Sequence, residues 1–292
     1  VGSEMCIRDR NGENDKLGWR LEYNMKHRGD VYATHGLGPV AQALDIHRGD
    51  RMKTLVAMDT KSVVGKSLVE ERTGQPCENF RNGDHTTTLI RTENGKVIEI
   101  QHDVMTPQPY NRLYQLTGTK GFANKYPIEG YALDAKQLNA SGVVPEVDNL
   151  NSHSFMPKKD MEALVQKYQH PILKKYGEMA KEVGGHGGMD FIMDSRLVYC
   201  LQNGLPLDMD VYDLAEWCCL AELGELSMDN NCAAVAFPDF TRGEWNKVKG
   251  YKHAYASPED ESVAMEKAKK ITAKLKEKGA VEWAGEAVEN KK

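Results

Sequence analysis

Two consecutive β-hairpins in the first half of the chain constrain the fold most strongly. Residues 85–104, HTTTLIRTENGKVIEIQHDV, alternate apolar and polar side chains on both sides of Asn94-Gly95, a dipeptide typical of a two-residue hairpin turn. A second hairpin is predicted over residues 111–127. Further strands are predicted at residues 53–59 and 130–133. Because hairpins pair antiparallel, the sequence predicts a mainly antiparallel sheet that leaves one face available.

The second half of the chain is predicted to be helical from the spacing of its apolar residues. The predicted helices cover residues 159–182 with a break near Pro171, 188–203 ending at Asn203-Gly204, 210–228 capped by Asp210, and 258–279. An earlier helix is predicted from Leu37 to Leu44, with Pro39 in its first turn. The class is therefore α+β: one domain, residues 11–292, with helices packed on an open, mainly antiparallel sheet.

The first ten residues, VGSEMCIRDR, show neither helical nor strand periodicity. We expect them to be a non-native artefact and exclude them from the fold prediction. The chain is then expected to be an N-terminally truncated fragment; the alternative is a native disordered N-terminus. No glycine-rich dinucleotide fingerprint follows between residues 11 and 50.

Charge, hydropathy and cysteine spacing argue against several classes of protein. A net charge of −5 gives no basic footprint for nucleic acid. No apolar run is long enough to span a membrane. The six cysteines form no CxxC pair, so no metal site is predicted.

Tyr32 and His35 lie in the glycine-containing segment GDVYATHGLGP, residues 29–39. They are expected to lead into a helix N-terminus, where backbone N–H groups favour anions or polar hydroxyls. Histidine exchanges protons with hydroxyls near neutral pH. A loop with this spacing is more often structural than catalytic, so the spacing alone leaves both roles open.

His186 is surrounded by four glycines in GGHGGMDF, residues 184–191. Glycine permits positive φ and close backbone approach, which suits either a loop around a ligand or a tight helix entry without one. Asp190 lies four residues later, where it could hold the imidazole in one tautomer.

Trp19 and Arg20 combine a stacking face with a bidentate donor, a pair that carbohydrate sites use and that protein surfaces also carry. Two prolines stiffen the approach to Tyr110, which suits a ligand contact or a plain strand-entry turn. His102 shares a strand face with apolar residues and is predicted to be a core histidine.

Four segments taken together resemble one family more specifically than any single motif does. They are WRLEYN, GDVYATHGLGPVAQALDIHRGDRM, QHDVMTPQPYNRLYQLTGTKGFA and GGHGGMDFIMDSRLVYCLQNGLPLDMDVYDLAEW. In this order they resemble glycoside hydrolase family 109, typified by bacterial NAD-dependent α-N-acetylgalactosaminidases of the Gfo/Idh/MocA oxidoreductase superfamily. The resemblance implies an N-terminal Rossmann domain that binds NAD, missing here, and a C-terminal domain with an open antiparallel sheet, which this chain matches.

The resemblance also implies a redox route to hydrolysis instead of the usual carboxylate pair. NAD⁺ would oxidise the sugar 3-hydroxyl, the acidified C2 proton would leave, the aglycone would be eliminated from C1, and water and hydride would then add back. The implied substrate contacts are Arg20, Tyr32, Ala33, Thr34, His35 and Tyr110, with Tyr114 as the fallback for Tyr110. His35 is implied as the proton-transfer residue and Tyr32 as its partner. Further residues expected to line the site are Trp19, His186 and Asp190.

Two other functions stay open at this stage. One is a sugar dehydrogenase of the same superfamily, which releases an oxidised product; the other is a non-catalytic domain that associates through its sheet face into a homo-oligomer. For the glycosidase, the expected partner is a glycan with terminal N-acetylgalactosamine. The main NAD site would lie in the missing domain, so this chain alone is expected to be inactive. The family resemblance fits a periplasmic or secreted protein, but the sequence leaves the compartment open.

Overall fold

The computed structural model describes residues 17–247 except 110, 127 and 206, and also residues 270, 273 and 274. These residues fall into two compact units, one of residues 17–161 and 211–247 and the other containing residues 162–210. The first ten residues, Tyr110 and nearly all of the predicted helix at 258–279 lie outside the described residues.

Eight α-helices and seven strands follow one another in the described part of the chain. The helices are α1 (Trp19–Lys26), α2 (Thr34–Ala43), α3 (Val64–Thr73), α4 (Ala135–Ala140), α5 (Lys158–Tyr168), α6 (Pro171–Val183), α7 (Met189–Asn203) and α8 (Val211–Asp229). The strands are β1 (Met52–Asp59), β2 (Thr86–Thr92), β3 (Val97–His102), β4 (Tyr114–Gly118), β5 (Gly121–Lys125), β6 (Gly130–Ala132) and β7 (Val235–Ala236).

The predicted hairpins are present, and they belong to two separate open sheets. One sheet has the order β3-β2-β1-β7 and the other β4-β5-β6, with every neighbouring pair antiparallel. The expected α+β class with open, antiparallel sheets is confirmed. The β2–β3 loop has three residues, not the predicted two, because Thr92 and Lys96 close it and Gly95 takes a φ of 83° at its third position.

The hydrophobic core lies on one face of the four-stranded sheet. Along β2 and β3 buried and exposed residues alternate, so Ile90, Ile98 and Ile100 point inward and pack with α2 and α8. Burial of each such side chain contributes roughly 1.5–3 kcal/mol to the free energy that stabilises the folded state. On the opposite face Leu89 and Val97 stay exposed. The sheet therefore has one covered and one open face, as the hairpin pattern predicts.

Helices α5 to α8 agree with the sequence prediction. α5 ends before Pro171, which opens α6, and α7 ends at Gly204 in the left-handed region. Helix α4 and strand β7 were not predicted, and neither were helices α1 and α3. Helices α1 and α3 are held by a second small core, in which Leu21 of α1 meets Leu68 of α3 and Phe80.

A buried polar cluster joins the α2–β1 loop to α8. Arg48 donates two hydrogen bonds to the carboxylate of Asp213, at 2.7 and 2.8 Å. His47 pairs through Nε2 with Glu216, whose other oxygen accepts the N–H of Met52 at 3.3 Å. Burial raises the pKa of the Glu216 carboxyl, and the hydrogen bond from His47 offsets part of that rise.

Candidate functional site

Trp19 and Arg20 open α1 and present their side chains side by side. Arg20 Cζ lies 4.6 Å from the centroid of the Trp19 ring and 5.9 Å from that of Tyr32. Trp19 is 59% exposed, whereas Arg20 is half-buried. The Arg20 Nε atom is buried and has no hydrogen-bond partner among the described residues. Since guanidinium donors seek oxygen acceptors, this atom is suited to a ligand oxygen.

Tyr32 and His35 lie on either side of the start of α2. Their ring centroids are 4.6 Å apart and the ring planes are inclined by 31°. Asp30 fixes the preceding turn, because its Oδ1 accepts the N–H of Tyr32 at 3.0 Å. Ala33 is buried and Thr34 begins the helix. The predicted segment therefore forms one local cluster, with Arg20 approaching from α1.

The position of His35 differs from the sequence prediction. The helix begins at Thr34, so His35 lies within its first turn and Pro39 lies inside the helix, not in its first turn. Pro39 cannot donate a helical hydrogen bond to the carbonyl of His35, but the helix continues because its apolar face packs in the core. The sequence prediction placed the start of this helix too late, because proline is most common in the first turn of a helix.

Asn82 ties the two segments of the cluster together. Its Nδ2 donates to Asn24 Oδ1 and, at 3.2 Å, to the carbonyl of Gly29, while its Oδ1 accepts the Gly29 N–H at 2.8 Å. Asn24 in turn donates to the carbonyl of Arg20 at 2.8 Å. Both asparagines are fully buried, so these bonds form where competing water is excluded.

Sequence reasoning missed Asp30, Asn24 and Asn82. An Asp two residues before Tyr32 is a recognisable Asx-turn signal and could have identified Asp30. No local sequence pattern indicates Asn82, because its partners lie 53 and 58 residues away in the chain.

Asp30 has a second neighbour in His102. The predicted core location of His102 is confirmed, since its side chain is buried on β3. Its Nε2 lies 3.9 Å from Asp30 Oδ1 and has no hydrogen-bond partner within the described residues.

The two candidate tyrosines of the β4 region are Tyr110 and Tyr114. Tyr110 lies outside the described residues. Tyr114 begins β4 and donates its hydroxyl to the carbonyl of Pro39 at 3.1 Å, which joins this strand to α2. Burial raises the pKa of the Tyr114 hydroxyl, so it stays protonated and acts as a donor.

His186 and Asp190 lie in the other unit, His186 between α6 and α7 and Asp190 in the first turn of α7. His186 Nδ1 contacts Asp190 Oδ2 at 2.8 Å, as expected from their spacing, and both side chains are largely exposed. Gly188 has a φ of 98°, and a Cβ there would lie 2.5 Å from the backbone of Ala180. This glycine is therefore required by the close approach of α6.

The first-unit cluster of Trp19, Arg20, Tyr32 and His35 has the chemistry of a sugar site. It offers aromatic faces, a guanidinium fork, a phenol and an imidazole, which can hold hydroxyl groups and move a proton. No group of acidic, histidine and cysteine side chains suited to a metal ion occurs in the described part of the chain. Within the same residues, no helix is both long and apolar enough to cross a membrane.

Comparison with known proteins identifies the class and then the family. A sequence model described as Glycosyl hydrolase 109, C-terminal domain, matches residues 4–247. The proteins that this sequence model describes are glycoside hydrolases. The chain belongs to glycoside hydrolase family 109, and the matched part is the C-terminal domain of that family.

Similar curated proteins carry the same family name. Glycosyl hydrolase family 109 proteins 5 and 4 of Phocaeicola vulgatus are 84% and 85% identical to the chain, over 97% and 95% of its length. A family 109 protein of Bacteroides thetaiotaomicron is 63% identical over 82% of the chain. The chain spans about half the length of these relatives: 54%, 54% and 51%.

A solved NAD-binding protein from Listeria innocua is 12% identical, with a TM-score of 0.38, over 70% of this chain and 50% of its own.

Proposed function

We propose that this chain is the sugar-binding and proton-transfer part of an NAD-dependent α-N-acetylgalactosaminidase. One observation carries the proposal: the Arg20 guanidinium lies near the rings of both Trp19 and Tyr32, and Tyr32 in turn contacts His35. Membership of a glycosidase family makes a glycan the natural ligand for this cluster.

The residues of the cluster fit the sugar better than the dinucleotide. NAD supplies, when bound, the reversible oxidation of a sugar hydroxyl at C3. The buried, unpartnered Nε of Arg20 suits a hydroxyl or carbonyl oxygen of the substrate. The described residues contain no strand, glycine-rich loop and helix unit of the dinucleotide-binding type. We therefore place the main NAD contacts in the part of the full-length protein that this chain does not span.

Each side chain of the cluster then has a defined task. Arg20 donates to sugar oxygens and fixes the ring, and Trp19 covers it. His35 exchanges a proton with the sugar, and Tyr32 supports the imidazole and offers a hydroxyl contact. The side chain of Ala33 is buried, so its contribution is through the backbone, whereas Thr34 offers a hydroxyl at the helix start. A tyrosine from the β4 region, Tyr110 with Tyr114 as the fallback, completes the contacts.

The test uses the full-length protein that contains this chain. With p-nitrophenyl α-N-acetylgalactosaminide and NAD, we expect release of p-nitrophenol without net formation of NADH, because the hydride returns to the sugar. Removal of NAD should abolish turnover. A matched reaction with the α-N-acetylglucosaminide, the C4 epimer, measures sugar selectivity.

The competing functions give different results in the same experiment. Accumulation of NADH with free sugar and no cleavage of the glycoside would identify a sugar dehydrogenase and contradict the proposal. Absence of both reactions, together with a concentration-dependent oligomer, would favour the assembly role through the exposed sheet face.

A further inference from the structure

A basic pocket lies beyond the C-terminal end of α1, where β1 ends and α3 begins. Its volume is about 610 Å³ and it opens widely to solvent. The charged side chains of its wall are Arg28, Lys61, Lys66, Arg81, Asp59 and Asp229. Four of these are basic and two are acidic; two further carboxylates lie just outside the wall, Glu225 on Arg81 and Asp84 at the start of α3.

The two arginines are fixed by the acidic residues. Arg28 donates from Nε and Nη2 to the two oxygens of Asp59, at 3.1 and 2.8 Å, and from Nη1 to Asp229 at 2.8 Å. Arg81 donates to Asp229 and to Glu225, at 2.8 and 2.9 Å. The acidic groups of the wall are therefore already satisfied, and they hold the guanidinium groups in place.

The two lysines of the wall have no such partners. Neither Lys61 nor Lys66 makes an ion pair or a side-chain hydrogen bond with any described residue. The unpaired positive charge of the pocket therefore resides on two ammonium groups near the start of α3.

The backbone at the start of α3 is already capped. Asp84 accepts the N–H groups of Val63, Val64 and Gly65 at 2.8, 2.9 and 3.0 Å. An anion in the pocket would thus be held by side chains and not by helix amides. Ser62 is also in the wall, and its buried Oγ has no hydrogen-bond partner among the described residues.

We propose that this basic pocket binds an oxyanion substituent, a sulfate or carboxylate group, carried by a glycan. The glycan part of this inference rests on the proposed function. Arg28 lies four residues before Tyr32, and four residues of chain span at most about 14 Å. An oligosaccharide with one sugar unit bound at Tyr32 can therefore place a neighbouring, charged sugar unit in the pocket.

The test is calorimetric titration of the full-length protein that contains this chain with sodium sulfate, glucose 6-sulfate, glucuronate and neutral glucose, at constant ionic strength. We expect saturable binding of sulfate and tighter binding of one charged sugar, which identifies the substituent. The double variant Lys61→Gln, Lys66→Gln should weaken binding by about tenfold, because it removes both charge-assisted contacts. Lys120→Gln, an exposed lysine in the β4–β5 turn, is the matched control.

No step of this titration needs NAD or glycoside cleavage, so its result is independent of the proposed activity. Absence of sulfate binding, or equal binding by the double variant and the unmodified protein, would overturn the proposal that this pocket binds an oxyanion. Equal weakening in the Lys120→Gln control would show non-specific charge attraction and overturn it as well. Binding of sulfate without any gain from the sugar ring would overturn the glycan part.

Discussion

The rings of Tyr32 and His35 lie with their centroids 4.6 Å apart and their planes inclined by 31°. One ring precedes α2 and the other lies in its first turn, so the local backbone sets this contact. Asp30 holds the turn through the N–H of Tyr32, and Asn82 holds it through Gly29. The pair is therefore fixed in orientation before a ligand arrives, which favours proton transfer at a defined atom.

Removal of the imidazole gives the first prediction. In the full-length protein, His35→Ala should lower kcat by about 10²–10⁴, the range typical of general acid–base groups. The rate of p-nitrophenol release measures this. His153→Ala, at another exposed histidine, is the control and should retain full activity. Near-normal turnover by His35→Ala would remove His35 from proton transfer.

The guanidinium of Arg20 gives the second prediction. Arg20→Lys keeps the charge but loses the planar fork, so KM should rise about tenfold while kcat changes less. Initial rates over a range of glycoside concentrations separate the two constants. Arg91→Lys, at an exposed position of β2, is the matched control. A fall in kcat with KM unchanged would contradict a role in sugar binding.

Loss of the buried amide at position 82 gives the third prediction. Asn82→Ala leaves Asn24 and the backbone of Gly29 without their shared partner, so the free energy of unfolding should fall by about 1–3 kcal/mol. Urea denaturation measures this change. Asn139→Ala, at an exposed position of α4, should change stability by less than about 0.5 kcal/mol. Equal effects of the two substitutions would show that Asn82 does not hold the segments together.

The buried Glu216 gives a prediction about pH. Burial raises the pKa of this carboxyl above its ordinary value of 4.5, so the folded state holds the proton more tightly than the unfolded state. The resulting stabilisation is fully present below pH 4.5 and is lost as the pH rises through the raised pKa. As the pH rises from 4.5 through the raised pKa, the free energy of unfolding of the unmodified protein should therefore fall relative to that of Glu216→Gln.

Urea denaturation at a series of pH values checks this dependence. Glu71→Gln, at an exposed position of α3, should give a curve parallel to that of the unmodified protein. If Glu216→Gln also gives a parallel curve, the carboxyl of Glu216 does not titrate differently in the folded and unfolded states.

Much of the fold could be predicted because its signals are local. The alternation along β2 and β3, the break at Pro171 and the glycine after α7 each act within a few residues. Helices α1 and α3 were missed because their stability comes from tertiary packing in the small core around Leu21, which no short window reveals.

The candidate site was predicted less evenly. The family resemblance indicated Arg20, Tyr32 and His35, and the structure brings these three side chains together. Their roles stay predictions. The supporting contacts of Asn82 are long-range, so residue spacing could not indicate them.

The paired rings and the guanidinium all come from one short stretch of chain, from Trp19 to His35, while their support comes from Asn82. A single mutagenic cassette over this stretch can therefore vary every side chain of the cluster. If Asn24, Gly29 and Asp30 are kept constant within the cassette, the anchoring bonds persist in every variant. Altered sugar preference can then be selected in a small library without disturbing either sheet.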